Sequence, residues 1–254
     1  MKNLVLALLL LITSAFIKID TVVSHFKIPA SYQQITVQPG SFAQWLQNRT
    51  LKPAGTPTRT YTGTIARTNP YTAAVLNMSI GNQDLQQCAD AVMRLRAEYL
   101  YSKKDYKAIS FNFTSGFKCD FIHFAEGYRY QQSGVWKKQA AKDYSYASFL
   151  KYMNLVFSYA GTLSLEKELH PVTNSNDLNI GDVFIKGGSP GHCFIVMNVA
   201  INKVNHQKRF LLAQSFMPAQ NIQILQNGSP WFSLDKPAQI PYGELVSAVY
   251  LKRF

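Results

Sequence analysis

Three residues of this 254-residue chain, Cys88, His192 and Gln214, have types and sequence contexts that could support nucleophilic chemistry. A cysteine attacks as its thiolate, which a neighbouring imidazole and the N-terminal end of a helix both favour. A third side chain can hold the imidazole in the required tautomer, and the carbonyl oxygen of Gln214 can accept a hydrogen bond from the ring. The chemistry of this set is that of a thiol hydrolase.

Local sequence patterns predict the elements that must position these residues. Asp84 precedes an apolar repeat with helical spacing and is a good N-cap, so Cys88 is expected about one turn into a helix. His192 follows the segment Gly-Gly-Ser-Pro-Gly at the head of an apolar strand. His192 and Gln214 are equally far from residue 203, so a hairpin that turns at residues 202–205 would set them side by side.

Each candidate residue also has a purely structural interpretation. Cys88 lies on the apolar face of its helix and could be a buried thiol of the core. His192 could be a satisfied histidine at a strand start. A buried Gln214 needs a hydrogen-bond partner, and a backbone group would serve.

Two further features of the sequence could serve either to bind a ligand or to stabilise the fold. The glycine-rich loop at 187–191 could cradle an anion or could be a plain turn. Asp90, Arg94 and Glu98 stand four residues apart on the predicted helix, a spacing that suits stabilising ion pairs and could also serve a substrate clamp.

Apolar periodicity predicts helices first and strands afterwards. The predicted helices are 41–49, 84–99 and 144–160. The predicted strands are 72–80, 108–113, 180–186, 193–201, 209–216, 221–226 and 248–252. Most of these strands form an antiparallel meander in the last third of the chain, so the predicted fold class is α+β with segregated layers.

Composition and charge limit the possible partners. Hydrophobic residues make up 47% of the chain and charged residues 16%, which indicates a packed domain, and the net charge is +12. This excess suits anionic neighbours such as phosphate-bearing envelope polymers or lipid headgroups, or serves solubility alone. No nucleic-acid-binding motif and no metal-ligand spacing occurs, so neither nucleic acid, a metal nor another cofactor is predicted.

Residues 1–16 have the order of a signal peptide. Lys2 precedes an apolar run at 4–12, and the small residues Thr13-Ser14-Ala15 follow. The run is too short to span a bilayer comfortably, and residues 17–254 contain no second one of sufficient length. We therefore predict one globular domain, 17–254, exported to the periplasm or the extracellular space. An uncleaved N-terminal anchor is the alternative.

The chain has three cysteines, Cys88, Cys119 and Cys193. An exported protein meets an oxidising compartment, and an odd number leaves at least one thiol unpaired. A disulfide between two of them is compatible with the sequence. A catalytic Cys88 needs a free thiol, so we predict that neither Cys119 nor Cys193 bonds it.

Four sequence blocks carry a resemblance to a known family. They are GNQDLQQCADAVMRLRAEYL (81–100), YAGT (159–162), GDVFIKGGSPGH (181–192) and LLAQSFMPAQ (211–220). They resemble the bacterial family called domain of unknown function 4846, and the similarity covers most of the chain after the signal segment. The resemblance implies an envelope protein of bacteria such as the Bacteroidota and implies no activity.

The chain departs from the family pattern in two places. Cys193 stands where a small apolar residue is expected, and the segment Ile240-Pro-Tyr-Gly-Glu replaces a stretch similar to Thr-Pro-Glu-Trp. We expect neither departure to touch the candidate residues.

A second similarity concerns the order of elements around the candidates. Papain-like cell-wall peptidases of the NlpC type place a cysteine at a helix start, then a Gly-Asp strand, a histidine heading the next strand and a polar residue on the one after. Cys88, Gly181-Asp182, His192 and Gln214 have a similar order and spacing. This layout implies a papain-like α+β fold and a Cys-His hydrolase acting on peptide or amide bonds of the cell wall.

Two other functions remain open at this point. A non-catalytic protein of the same shape could hold wall glycan or peptide on an aromatic surface that includes Trp45, Trp136 and Trp231. A structural envelope component would keep Cys88 in its core. The separation between the Cys88 sulfur and the His192 ring distinguishes the hydrolase from both.

Overall fold

The computed structural model describes residues 22–254. The predicted signal peptide, 1–16, lies outside these residues. Within the described range, no helix has the length and apolar character needed to cross a membrane.

Helices and strands alternate along the described chain more than the sequence predicts. Its α-helices are α1 (Phe42–Gln47), α2 (Cys88–Ser102), α3 (Phe121–Ala125), α4 (Tyr146–Tyr159) and α5 (Thr162–Glu168). Its strands are β1 (Tyr32–Gln34), β2 (Thr72–Val75), β3 (Ser110–Asn112), β4 (Lys118–Asp120), β5 (Tyr128–Gln131), β6 (Val135–Lys138), β7 (His170–Pro171), β8 (Val183–Lys186), β9 (His192–Asn202), β10 (Lys208–Gln214), β11 (Gln223–Leu225), β12 (Trp231–Phe232) and β13 (Leu251–Arg253).

One large antiparallel sheet organises the described residues. Seven of its strands run in the order β2-β11-β10-β9-β8-β13-β7, while β1 pairs with β9 and β12 pairs with β10. The small hairpins β3-β4 and β5-β6 stand apart from it. The predicted α+β class with an antiparallel sheet is therefore confirmed, although the sheet also takes β1 and β2 from the N-terminal third.

Strand β9 is the centre of the sheet and of the core. Its first nine residues are buried, which matches the near-continuous apolar run of a strand covered on both faces. Helices α1 and α2 pack against it. The position of His192 at the head of this strand therefore brings it close to the start of α2.

The hairpin between β9 and β10 differs in register from the prediction. It turns at residues 203–207, and the pairing ends with Ala213 opposite Ile195. Gln214 therefore lies two residues out of register with His192, and the predicted side-by-side pairing is wrong. Residues two apart on a strand point to the same face, so the two side chains still meet as diagonal neighbours.

Helix α2 begins at Cys88 and not directly after Asp84 as predicted. Its N-cap is Gln87, whose backbone N–H donates to the Asp90 carboxylate at 2.9 Å. Asp84 accepts a hydrogen bond from the backbone N–H of Ala219 at 2.6 Å, and so ties the loop before the helix to the segment after β10. This tertiary use of Asp84 leaves Cys88 as the first helical residue.

Other predicted elements fare differently. Helix α1 is confirmed, and the Ser41 hydroxyl accepts from the backbone N–H of Gln44 at 3.2 Å as its N-cap. The predicted helix 144–160 exists as α4, but a further helix, α5, follows directly after Gly161. The segment 114–143, for which no element is predicted, holds α3 and the β5-β6 hairpin.

Candidate active site

Cys88 lies in the wall of a surface cleft of about 280 Å³. The other walls come from residues 160–162, the loop 188–191 and Met217. The side chain is 7% exposed and also packs in the apolar core. Cys88 therefore belongs both to the core and to the wall of an open cleft. A small molecule bound in the cleft would lie next to it.

The N-terminus of α2 places backbone N–H groups beside Cys88, and that of Ala89 is hydrogen-bonded to the Cys88 thiol. The first intrahelical hydrogen bond runs from the N–H of Ala91 to the carbonyl of Gln87 at 3.0 Å. The N–H groups of Cys88 and Ala89 precede it and have no backbone acceptor within the helix. Together with the helix dipole, they favour negative charge at this end, which includes a thiolate.

The His192 ring is oriented by Gln214. Its Nε2 lies 2.7 Å from the Gln214 Oε1 atom, and both side chains are buried. Since a carbonyl oxygen only accepts, Nε2 carries the proton, and Nδ1 is the ring atom available to the Cys88 sulfur. The hydrogen bond thereby selects the tautomer that a thiol base requires.

Cys193 and His192 both lie close enough to Cys88 to lower the pKa of its thiol. Its hydrogen bond with the Cys193 thiol, followed by the hydrogen bond and charge of His192, holds the pKa of Cys88 well below its ordinary value, although burial acts against this. Burial raises the pKa of Cys193 and of Cys119. Cys193 therefore stays a neutral donor, and Cys88 alone among the three cysteines is set up as a thiolate.

All three cysteines carry free thiols in the structure. The effect of Cys193 on the pKa of Cys88 contradicts the expectation that this family departure lies away from the candidate residues. The sequence did not predict this effect of Cys193, because successive side chains of a strand point to opposite faces. At the start of β9, however, both His192 and Cys193 lie close to Cys88.

Aromatic side chains enclose the imidazole. Tyr242 stacks on the His192 ring with centroids 4.8 Å apart, and Phe216 and Phe194 lie at 5.2 and 4.8 Å. Such a cover keeps water from the hydrogen bond to Gln214 and strengthens it. Tyr242 belongs to the second family departure, so that expectation is wrong as well.

The backbone of Tyr242 is strained. Its φ of 60° and ψ of 22° lie in the left-handed region, which bulky side chains rarely adopt. Strain of this kind persists only where surrounding contacts hold it, and it clusters at functional sites. Nothing in the local sequence around Tyr242 signals this conformation.

Asp90 is a buried carboxyl in the wall of the same cleft. Burial, and then the nearby Cys88, raise its pKa well above the usual value. Its Oδ1 has no hydrogen-bond partner among residues 22–254. The raised pKa of Asp90 favours its neutral form, which does not repel a thiolate at Cys88, so the two pKa shifts are mutually consistent.

The predicted ladder Asp90–Arg94–Glu98 forms only in its second half. Arg94 Nε lies 2.7 Å from Glu98 Oε1. Asp90 instead uses its other oxygen to cap the helix. Along α2, a buried carboxyl group with a raised pKa at the cleft is therefore followed one turn later by an ion pair.

Close packing explains the glycine loop at the rim of the cleft. A Cβ atom on Gly191 would lie 2.4 Å from Thr162 Oγ1 and 2.5 Å from the carbonyl oxygen of Gly188. The loop thus folds tightly against the start of α5 as a turn.

In the described range there is no group of three or more His, Cys, Asp or Glu residues that could hold a metal ion.

Fold and site together define an α+β domain with a Cys–His–Gln set at the junction of a helix N-terminus and a central antiparallel strand. The chain belongs to the family described as Domain of unknown function (4846), whose profile matches residues 22–246. No significant match was found among curated proteins or among solved structures. The family resemblance predicted from the sequence is confirmed, and it covers all three candidate residues.

Proposed function

We propose that this protein is a thiol hydrolase that cuts peptide or amide bonds. Cys88 is the nucleophile, His192 the general base and acid, and Gln214 the residue that orients the imidazole. The observation that carries the proposal is the position of Cys88 as the first residue of α2 in the wall of an open cleft, where His192 lies close enough to lower the pKa of its thiol. A helix-borne cysteine that meets a sheet-borne histidine is also the arrangement of papain-like enzymes, and we infer a papain-like fold on this ground.

In the first half of the reaction, the Cys88 thiolate attacks the carbonyl carbon of the bound amide. The oxyanion accepts hydrogen bonds from backbone N–H groups at the start of α2. The C–N bond then breaks, and the imidazolium of His192 gives its Nδ1 proton to the leaving amine. A thioester on Cys88 and a free amine result.

In the second half, His192 Nδ1 takes a proton from a water molecule that attacks the thioester. The C–S bond breaks, the acyl group leaves as a carboxylic acid, and the proton on His192 restores the original ion pair with Cys88. The hydrogen bond to Gln214 holds the ring during both transfers, and no outside oxidant or cofactor is needed.

We propose the bacterial cell wall as the substrate. The predicted export segment, 1–16, and the net charge of +12 support this setting, because a basic surface associates with anionic envelope polymers.

We expect the exported protein to begin near residue 16, because the charged, apolar and small-residue regions occur in signal-peptide order. N-terminal sequencing of protein recovered from the envelope checks this, and an intact Met1 would favour an anchor.

The reactivity of the thiols tests the proposed nucleophile. With iodoacetamide at pH 6–7, Cys88 of the folded protein should be alkylated at least about tenfold faster than Cys119, because only Cys88 combines a lowered pKa with a position on a cleft. Peptide mass mapping measures both sites in one sample, so Cys119 serves as the internal control. Equal, slow rates at the two sites would contradict the proposal, and so would a disulfide at Cys88 in the resting protein. A non-catalytic binding protein would then be favoured.

A further inference from the structure

A second cleft lies along α2 next to the first one. It encloses about 360 Å³, and Trp45, Arg49, Arg94 and Glu98 contribute to its walls. Phe157 lines both this cleft and the one at Cys88. The two spaces therefore share a wall, and one extended ligand could occupy both.

Arg49 is held rigidly in this cleft. Its Nε donates to the carbonyl oxygen of Trp45 at 3.0 Å, and its guanidinium carbon stands 3.7 Å from the centre of the Trp45 ring. Among residues 22–254, this bond to Trp45 is the one hydrogen bond that the Arg49 side chain makes. Its terminal N–H groups are therefore available to a ligand, and little side-chain entropy remains to be lost on binding.

The other charges of the cleft neutralise each other. Arg94 pairs with Glu98 at 2.7 Å and donates further hydrogen bonds to Gln86 and Tyr146. The Tyr146 hydroxyl also donates to Glu98 at 2.7 Å. Glu98 also attracts Arg49, but the cleft wall carries two guanidinium groups and one carboxylate, so one positive charge remains uncompensated. A guanidinium stays protonated at neutral pH despite partial burial.

The position of Glu98, whose charge acts on Arg49, gives the approximate separation between Arg49 and the thiol. Cys88 and Glu98 are ten residues apart on α2, which corresponds to about 15 Å along the helix axis. An extended peptide covers that length in roughly four to five residues. One short extended peptide could therefore lie with one end at the Cys88 thiol and the other end in the cleft of Arg49.

We propose that Arg49 binds a carboxylate group of the molecule that is cut at Cys88, roughly four to five residues from the scissile bond. The planar fork of a guanidinium matches a carboxylate with two parallel hydrogen bonds. One available cation beside an aromatic ring suits this singly charged group better than a phosphate. The inference rests on the proposed hydrolase function and adds a preference for acidic peptides.

Peptide binding to the Cys88→Ala variant tests the subsite without turnover. The probes are succinyl-pentaalanine amide and acetyl-pentaalanine free acid, which carry a carboxylate at either end, and neutral acetyl-pentaalanine amide. Tryptophan fluorescence reports binding because Trp45 touches Arg49. We expect at least one acidic probe to bind about tenfold or more tightly than the neutral one, and this preference to disappear on adding Arg49→Gln.

Arg67→Gln is the matched control, since it removes the same charge from an exposed position outside the cleft. It should keep the preference for the acidic probe. Arg49→Lys should keep only part of it, because an ammonium lacks the planar fork. An equal loss in the Arg67 and Arg49 variants would show a nonspecific charge effect and overturn the subsite.

The two proposals fail in different ways. If the wild-type protein hydrolyses peptides but the acidic and neutral probes bind alike, the carboxylate subsite is wrong and the hydrolase stands. If the preference depends on Arg49 while Cys88 is unreactive and nothing is cut, the hydrolase is wrong. The subsite then stands as a binding site for acidic ligands, without a link to cleavage.

Discussion

Replacing Cys88 with alanine should lower kcat/KM by at least about 1,000-fold for any peptide or peptidoglycan fragment that the wild-type protein cleaves. The physical reason is that no other thiol can take over the attack. Cys193 is completely buried and burial raises its pKa, so it is neither accessible nor ionised. Release of new amino groups from peptidoglycan fragments measures the effect.

Cys119→Ala is the matched control for this experiment. It also removes one buried thiol, but Cys119 lies outside the cleft, and burial raises the pKa of its thiol. Its activity should equal that of the wild type, with thermal unfolding used to confirm that both variants fold. Cleavage by the Cys88→Ala variant at more than about a tenth of the wild-type rate would rule out Cys88 as the nucleophile.

Replacing His192 with alanine should raise the pKa of Cys88 and slow turnover by a factor similar to that of the Cys88 substitution. The hydrogen bond from Cys193, the largest cause of the lowered pKa, remains in this variant, but the hydrogen bond and the charge of the ring are lost. Without the ring, thiolate forms only at higher pH, so alkylation at Cys88 should fall steeply at pH 6 and much less at pH 9. The pH dependence of the alkylation rate measures the shift, which a purely structural histidine would not produce.

Gln214 should act through the orientation of that ring. Gln214→Ala should reduce turnover roughly ten- to a hundredfold, since the imidazole loses the acceptor that selects its tautomer. Gln214→Glu keeps an acceptor oxygen for His192 Nε2 and removes the buried Nε2 amide nitrogen, which has no partner among residues 22–254. It should retain most activity. Equal losses in both variants would show that Gln214 serves packing and not the ring.

The candidate residues were predictable from the sequence where a chemically reactive residue type stands at a recognisable position of a predicted helix or strand. Cys88 precedes a helical apolar repeat, and His192 heads a long apolar strand that the structure contains as β9. His192 and Gln214 were also expected to meet, and they do so despite a register error of two residues. The error left the contact intact because the side chains of a strand repeat with a period of two.

Features that depend on distant partners were not predictable in this way. Asp84 looks like an N-cap, yet it bonds the backbone of Ala219, 135 residues away, and the helix begins later. Tyr242 covers His192 from a segment that local patterns assign to no element. Asp90 does not form the predicted pair with Arg94, because its side chain accepts a hydrogen bond from the backbone N–H of Gln87 and caps the helix.

By itself the sequence determined the family, the α+β class and the residue types that could carry thiol chemistry, because these follow from local periodicity and from long matched blocks. Tertiary structure alone decided that Cys88 is the first residue of its helix and that Cys193 and His192 lie close enough to lower the pKa of its thiol. The pKa of a thiol depends on charges, donors and burial within a few ångströms. Those neighbours come from elements about a hundred residues apart, whose approach is set by packing and has no local signature.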